Sequence, residues 1–216
     1  SEQSSQMLIQ NISDKIYYQN QFLVKYEGNV TFGSNIYSYS EPINFTIIKN
    51  GNYYRINYSI NSSSGFLFTN ASGFVSCNKV SNGYKCDYIN LYVQPQVSFG
   101  ILIYLFSRNP QVSYILSNSP YNFTDLLSTN KYLLFKKIGQ SEIYNFNCSI
   151  ENVYQYNLSV SIGNICLSNK IGLPLLINLS FTGSNSFFDM HFIPSIISNS
   201  TISENISYIP SNLSIS

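Results

Sequence analysis

The segment INFTIIKNGNYYRINYSI, residues 43–60, constrains the fold more than any other stretch of the chain. Its central Asn50-Gly51 pair is the strongest short-range signal of a β-hairpin, because both residues tolerate the positive φ angles of a type I′ turn. A two-residue loop at this pair fixes the register of the flanking strands and gives the hairpin one apolar face and one polar face. The predicted apolar face consists of Ile43, Phe45, Ile47, Tyr54, Ile56 and Tyr58. The same register predicts that Asn44 lies directly opposite Asn57 on the polar face.

Asn44 and Asn57 each begin an Asn-x-Ser/Thr sequence, the acceptor pattern for N-linked glycans. The chain contains thirteen such sequences, about twice the number that its Asn, Ser and Thr content gives by chance. In nine of the thirteen the middle residue is apolar or aromatic, so a strand would direct the asparagine outward and the middle residue inward. A chain rich in Asn and Ser also forms such tripeptides by accident, and this alternative is strongest for any single site. The predicted glycosylation sites are Asn11, Asn29, Asn44, Asn57, Asn61, Asn70, Asn122, Asn147, Asn157, Asn178, Asn199, Asn205 and Asn212.

The chain has few charged residues for its length. Of its 216 residues 44% are hydrophobic and only 10% are charged, against about 25% charged in an ordinary soluble protein. The net charge of +1 argues against nucleic acid as a partner, because nucleic-acid binding would require a basic stripe. We expect covalent N-glycans to keep such a surface dispersed in water, and we expect no cofactor besides them.

The longest apolar run is VSFGILIYLF, residues 97–106, and it contains Ser98 and Gly100. A membrane-spanning helix needs about 20 apolar residues, so we expect no transmembrane segment. The N-terminal sequence SEQSSQ lacks a basic region followed by an apolar region, so we expect a mature chain from which any signal peptide has been removed. These features favour an extracellular or cell-surface location.

Four cysteines form an even set, which in an exported chain favours two disulfides. In SCNKVSNGYKC a four-residue loop would place Cys77 directly across a hairpin from Cys86, so we predict this pair, and Cys148 with Cys166 by default. Four free thiols would suit a cytosolic protein, which the density of acceptor sequences argues against. No CxxC occurs and the chain has one histidine, so we expect no metal site.

Strand patterns dominate residues 21–198, and no linker rich in Pro or Gly divides them, so we predict a single β-domain there. The expected fold is mainly β, an antiparallel β-sandwich like that of pilins. A short helical insertion is predicted near 97–130, because Asn109-Pro110 and Ser119-Pro120 each combine a capping residue with Pro at the first helical position.

Ser- and Asn-rich tails flank this domain, at residues 1–20 and 199–216. An extended tail can add a strand to the open sheet edge of a neighbouring subunit. The alternative for the front tail is a helix, because Leu8, Ile12 and Ile16 are spaced four residues apart and would share one helical face. The residues leave both readings open.

Candidate chemistry is sparse. His191 shares a strand face with Asp189 in FFDMHFI, but no third partner is evident, so a structural hydrogen bond is the better interpretation. No nucleophile motif of the G-x-S-x-G kind is present. We therefore predict that the protein is not an enzyme.

The chain as a whole resembles the thread filament subunits of thermoacidophilic archaea. The resemblance lies in dense acceptor sequences, low charge, abundant Tyr, Ser, Asn and Ile, strand patterns and a free front tail, without a diagnostic motif. It implies pilin-like β-domains joined head to tail by donor strands and coated with N-glycans, with identical subunits as partners and other cells or surfaces as further ones. The implied donor residues are Met7, Leu8, Ile9 and Ile12.

A second resemblance is to the half-barrel lipoprotein carriers typified by LolA. It rests on a front helix, FLVKYEGNV, successive hairpins, a helical insertion and the late segment CLSNKIGLPLLINLSF. This resemblance implies an antiparallel half-barrel that binds an apolar ligand, with VSFGILIYLF as pocket lining. A third alternative, an S-layer-associated glycoprotein, shares most surface features and differs in its partner.

Overall fold

The computed structural model describes residues 2–4, 15, 18–51, 53–60, 63–70, 73–89, 133–155, 160–182, 186–199 and 213–215. Nearly all of these residues lie in β-strands. The strands are β1 (Glu2–Ser4), β2 (Gln21–Ser34), β3 (Ser38–Asn50), β4 (Tyr53–Ile60), β5 (Ser63–Asn70), β6 (Gly73–Val80), β7 (Gly83–Ile89), β8 (Leu133–Ile143), β9 (Phe146–Gln155), β10 (Ser161–Ser168), β11 (Pro174–Thr182), β12 (Ser186–Ser198) and β13 (Leu213–Ile215).

All thirteen strands belong to one sheet, in the order β1-β8-β9-β10-β11-β12-β2-β3-β4-β5-β6-β7-β13. Strands β2 to β7 pair consecutively, as do β8 to β12, and the pairing of β12 with β2 joins the two series. Among the strands that the structure describes, every pair is antiparallel except β13 with β7. The predicted mainly antiparallel β fold is confirmed, and its single sheet corresponds to the half-barrel alternative rather than to two facing sheets.

The register of the β3–β4 hairpin differs from the prediction. Asn50 pairs with Tyr53, so the loop begins at Gly51, one residue later than expected. Gly51 has φ of 60°, and its N–H donates a hydrogen bond of 2.8 Å to the carbonyl oxygen of Asn20, which ties the loop to the residue before β2. The described side chains keep their predicted faces, but the pairing moves two positions along the partner strand. The prediction that Asn44 faces Asn57 is therefore wrong.

One face of the sheet, called here the inner face, carries the main hydrophobic core. On β2 and β3 the Tyr26 and Phe45 rings stack with centroids 4.6 Å apart, and Phe45 meets Phe192 of β12 edge to face at 5.3 Å. Burial of the Tyr26 phenol raises its pKa, and the hydroxyl donates a hydrogen bond of 2.5 Å to the carbonyl oxygen of Pro174. The same core cluster includes Val24, Val30, Ile43, Ile56, Leu67, Phe135, Val153, Ile165, Ile177, Leu179 and Met190. Its side chains come from nine of the strands.

The opposite face, called the outer face, carries smaller apolar clusters, one formed by Leu23 and Ile48 on β2 and β3 and two around the disulfides near the flanks. On β6 and β7, Cys77 faces Cys86 in a disulfide with a Cα–Cα distance of 4.1 Å, packed with Phe66 and Phe68. On β9 and β10, the second disulfide joins cysteines with Cα atoms 5.4 Å apart, packed with Leu175. Both predicted disulfides, Cys77–Cys86 and Cys148–Cys166, are confirmed, and two disulfides are typical of an oxidising compartment such as the extracellular space or the periplasm.

The predicted helical insertion near 97–130 and the predicted donor stretch from Met7 to Ile12 lie outside the described residues. The described parts of the two tails, β1 and β13, pair with β8 and β7 at opposite ends of the sheet. The division into a tail of residues 1–20, a domain of 21–198 and a tail of 199–216 stays a prediction.

Candidate functional site

The acceptor asparagines of the central strands point away from the core. Asn29, Asn44 and Asn178 are exposed, and Asn57 is half-buried. The middle residues of these four acceptor sequences are all buried, with exposed fractions of 0% for Val30, 2% for Phe45, 6% for Tyr58 and 3% for Leu179. Because side chains alternate along a strand, burying the middle residue places the asparagine and the hydroxyl residue together on the outer face. The predicted outward orientation is confirmed at these four sites.

The four asparagines form a continuous band across the outer face, called here the acceptor band. Asn178 of β11 and Asn29 of β2 both pair with His191 of β12, which separates them by two strand spacings, about 10 Å. Asn44 lies diagonally from Asn29, and Asn57 lies diagonally from Asn44, each pair about 7–8 Å apart. The band therefore crosses five neighbouring strands, from β11 to β4.

Asn57 has the most constrained side chain in the acceptor band. Its Oδ1 accepts a hydrogen bond of 2.8 Å from Nε of Arg55, and the Arg55 guanidinium lies 4.1 Å from the centroid of the Phe66 ring. The Asn57 amide nitrogen, which is the atom that carries an N-linked glycan, is not used in this hydrogen bond. The contact orients the side chain without occupying the reactive atom.

His191 lies within the acceptor band and is exposed. Asp189, two residues away on the same face, accepts a hydrogen bond from the hydroxyl of Ser180. No group of three His, Cys, Asp or Glu side chains suited to a metal ion occurs among the described residues. The His191 and Asp189 side chains thus share a face as predicted, and the expectation that the protein is not an enzyme stays a prediction.

Two further acceptors, Asn147 and Asn199, lie in a different setting from the acceptor band. Both line an open pocket of about 730 Å³ at one end of the sheet. Asn70 ends β5 and its side chain is not described, so its accessibility stays a prediction. The acceptors that lie outside the described residues are Asn11, Asn61, Asn122, Asn157, Asn205 and Asn212.

Sheet topology explains why this pocket forms. In consecutive antiparallel strands, the turn after β8, the turn after β10 and the end of β12 all fall at the same end of the sheet. The turn after β8 is tight, with φ of 49° at Tyr144 and 66° at Asn145. Positive φ is more frequent for Asn than for other non-glycine residues and is unusual for a bulky residue such as Tyr, so the sequence signal for this turn is weak. Asn145 is its one local signal.

Hydrogen bonds hold two of the pocket segments together. The Asn169 N–H donates to the carbonyl oxygen of Asn147 at 3.0 Å, and the Ser149 hydroxyl donates to Oδ1 of Asn169 at 3.0 Å. Tyr144 is 58% exposed, and Phe146 is partly buried against the core. Among the described residues that line the pocket, Lys170 is the only charged one. The pocket therefore combines aromatic rings with neutral amides.

The inner face includes a few buried charged groups. Lys49 is 4% exposed, its ammonium group donates to the carbonyl oxygen of Gln19, and desolvation lowers its pKa. Glu151 is 6% exposed and pairs with Ile165 on one side and Lys137 on the other. Desolvation raises the pKa of the Glu151 carboxyl, and the positive charge of Lys137 opposes this shift. Burial thus disfavours the charged form of both the Lys49 and the Glu151 side chains.

No protein-family model matches the chain, and no curated protein matches it in sequence. Among solved structures, the chain is similar to MucB in complex with MucA(peri), with a TM-score of 0.43 and 10% identity, covering 94% of this chain. It spans 57% of that MucB chain.

Two further solved structures are similar to most of the chain. The LolA superfamily protein NE2245 from Nitrosomonas europaea has a TM-score of 0.31 and 8% identity, covering 90% of this chain and 93% of that one. A putative outer membrane lipoprotein-sorting protein domain from Vibrio parahaemolyticus has a TM-score of 0.36 and 8% identity, covering 92% of this chain and 93% of that one. None of these likenesses assigns the chain to a family. In the described part of the chain, no helix has the length and hydrophobicity needed to cross a membrane.

Proposed function

We propose that the protein is an exported glycoprotein that binds an apolar ligand against the inner face of its sheet. The observation that carries the proposal is the contrast between the two faces of the central strands. The inner face is a continuous apolar cluster drawn from nine strands, whereas the outer face exposes the acceptor band. Apolar ligands bind in sites lined mainly by hydrophobic and aromatic side chains with a few polar groups.

The buried charges of the inner face support an amphiphilic ligand over a plain hydrocarbon. Lys49 and Glu151 are both nearly inaccessible, and so is Glu41 on the same face, in a surface that is mainly apolar. Burying such groups costs free energy, so a fold retains them more readily when they also serve a polar part of a ligand. A fatty acid or another single-chain lipid has the required combination of a long apolar body and a polar head.

Both end strands of the sheet come from the chain's own tails, which favours a monomeric binder. β1 pairs antiparallel with β8, and β13 pairs parallel with β7. β1 and β13 cover the edges of β8 and β7, and as edge strands of only three residues they present few free backbone groups to a strand from another molecule. This arrangement leaves the inner face as the better candidate for recognition.

The test is detergent-free purification followed by native mass spectrometry, solvent extraction and titration with a fluorescent fatty acid. Phe192 and Ile193 provide a matched pair of positions, because they are neighbours on β12 that face opposite sides and are 0% and 48% exposed. We expect Phe192→Leu to change probe affinity several-fold and Ile193→Leu to leave it unchanged. A folded protein without co-purifying lipid and without saturable probe binding would overturn the proposal.

A second candidate function is the filament subunit, favoured by the same end strands. β1 and β13 each have three residues, so their pairing is short and the same hydrogen bonds could form with another copy of the chain. Negative-stain electron microscopy of native material tests this candidate. Polymers that disappear on deletion of residues 1–12, but persist on deletion of residues 211–216, would establish front-tail exchange. Monomers under all conditions would exclude the filament.

A further inference from the structure

The pocket at the end of the sheet is lined in part by two acceptor asparagines, Asn147 and Asn199. Their surroundings are concave, unlike those of the acceptor band. The band asparagines lie on an open sheet face, whereas Asn147 opens into a concave space of about 730 Å³. This volume falls within the range of about 300–1,000 Å³ that is typical of small-molecule sites. We infer that this pocket seats the first sugars of a glycan attached to Asn147, so that this glycan is part of the folded structure.

The lining fits a neutral carbohydrate. The Tyr144 ring is 58% exposed, which leaves its surface available to the C–H groups of a sugar ring. The lining also includes amide side chains from Asn145, Asn169 and Asn199, which both donate and accept hydrogen bonds as sugar hydroxyls require. Lys170 is the only charge among the described lining residues, and no carboxylate is among them to favour a cationic ligand.

The backbone around the pocket fixes the relative positions of its lining residues. Ile143 pairs with Phe146, so Tyr144 and Asn145 form a two-residue hairpin loop, and their φ angles of 49° and 66° are those that such a loop requires. The carbonyl oxygen of Asn147 accepts the hydrogen bond from Asn169, which fixes the acceptor relative to the opposite wall of the pocket. The acceptor is exposed, so a glycan can be attached there and lie directly against the ring.

The sugar in the pocket belongs to a glycan that is covalently attached to the same chain. A glycan tethered to the pocket wall is present at high effective concentration, so weak contacts suffice to hold it. Asn199, half-buried in the same lining, would hydrogen-bond to that glycan rather than carry a second one, because one pocket cannot seat two. The inference rests on the glycosylation included in the proposed function, and it does not depend on the apolar ligand.

The test measures site-resolved glycan release from folded native glycoprotein by an endoglycosidase, with mass spectrometry at Asn147 and at Asn178. We expect release at Asn147 to be several-fold slower than at Asn178 in the folded protein and equal after denaturation. Tyr144→Ala should remove the difference, and Tyr144→Phe should preserve it. Tyr37→Ala is the matched control, since Tyr37 is 57% exposed and lies in the turn at the other end of the sheet.

Thermal unfolding supplies a second measurement. In the glycosylated protein we expect Tyr144→Ala to lower the Tm by about 2 to 4 °C for a chain of this size, because the contact between the Tyr144 ring and the glycan is lost. In unglycosylated protein from a non-glycosylating host, the same substitution should leave the Tm unchanged, because the ring is mostly exposed. Equal release at the two sites, or an Asn147 that carries no glycan while Asn178 does, would overturn the inference. Absence of glycan at both sites would refute the glycosylation itself.

Discussion

The centre and the flanks of the outer face differ in how their strands are buried. In the centre, Val30 is buried between the exposed or half-buried side chains of Asn29 and Thr31. At one flank, the consecutive residues Phe66, Leu67 and Phe68 are all buried, so both faces of β5 are covered. The other flank repeats this pattern around the Cys148–Cys166 disulfide. Around the acceptor band the central strands are therefore buried on one face, and only nearer one end of β2 and β3 do Leu23 and Ile48 cover the outer face as well. The described flanks behave like an interior along more of their length.

Substitution of one outer-face residue in each region gives the largest expected contrast in the free energy of unfolding. Phe66→Ala removes a ring that is 2% exposed and stacks under Arg55, so we expect a loss of about 3–5 kcal/mol in the free energy of unfolding. Asn178→Gln in the centre should change it by less than about 0.5 kcal/mol. Chemical denaturation of unglycosylated protein measures both. A small effect of Phe66→Ala would show that the flank is not an interior.

Removal of the disulfides compares the two flanks with each other. The Cys77–Cys86 bond closes a loop with a sequence separation of 9, and the Cys148–Cys166 bond closes one of 18. Loop-closure entropy predicts a loss of about 3 kcal/mol for each Cys→Ser double variant, with the longer loop costing slightly more. Denaturation midpoints under oxidising conditions test the order. A reversed order would mean that packing around the first disulfide outweighs its loop length.

Alanine substitutions at two glycines of the central strands and their loop, Gly28 and Gly51, test how tightly this region is packed. A Cβ at Gly28 would lie 2.0 Å from the carbonyl oxygen of His191, so Gly28→Ala should destabilise the β2–β12 pairing by about 1–3 kcal/mol. Gly51→Ala meets no atom within 4 Å and carries only the cost of positive φ, about 1 kcal/mol. Unfolding free energies of the two variants separate steric from conformational cost. Equal losses would show that the central strands shift to make room.

Neutralising Glu151 is expected to change the free energy of unfolding least of these variants. It tests whether burial on the inner face raises the pKa of the Glu151 carboxyl. Its carboxyl has an ordinary pKa of 4.5, which desolvation raises in the folded protein. The folded state therefore binds this proton more tightly, so its contribution to stability is present at low pH and is lost as pH rises from 4.5 through the raised value. We expect Glu151→Gln to increase stability near pH 7 and to flatten the pH dependence in that window. Unchanged pH dependence would contradict the raised pKa.

The alternation of the central strands could be predicted from the sequence because it depends on a local property. Asn-Val-Thr, Asn-Phe-Thr, Asn-Tyr-Ser and Asn-Leu-Ser each place one apolar residue between two polar ones, and strand geometry converts that order into opposite faces. The Cys77–Cys86 pair could be predicted for the same reason, since a short hairpin loop fixes it. The position of the β3–β4 loop could not be predicted from the sequence, because the hydrogen bond from Gly51 to Asn20 contributes to that position.

Local patterns in the sequence specify that the acceptor asparagines of the central strands face outward, that Cys77 pairs with Cys86 and that strands dominate, because each follows from neighbours a few positions apart. The Cys148–Cys166 pair, 18 positions apart, followed only by elimination. Tertiary structure alone decided that β12 pairs with β2, that both sheet ends are occupied by the tails, and that the flanks are buried on both faces. It also decided that the turn at Tyr144, the loop at Asn169 and the end of β12 meet around one pocket. These features join residues far apart in the chain, and local patterns carry no information about which distant segments form a common surface.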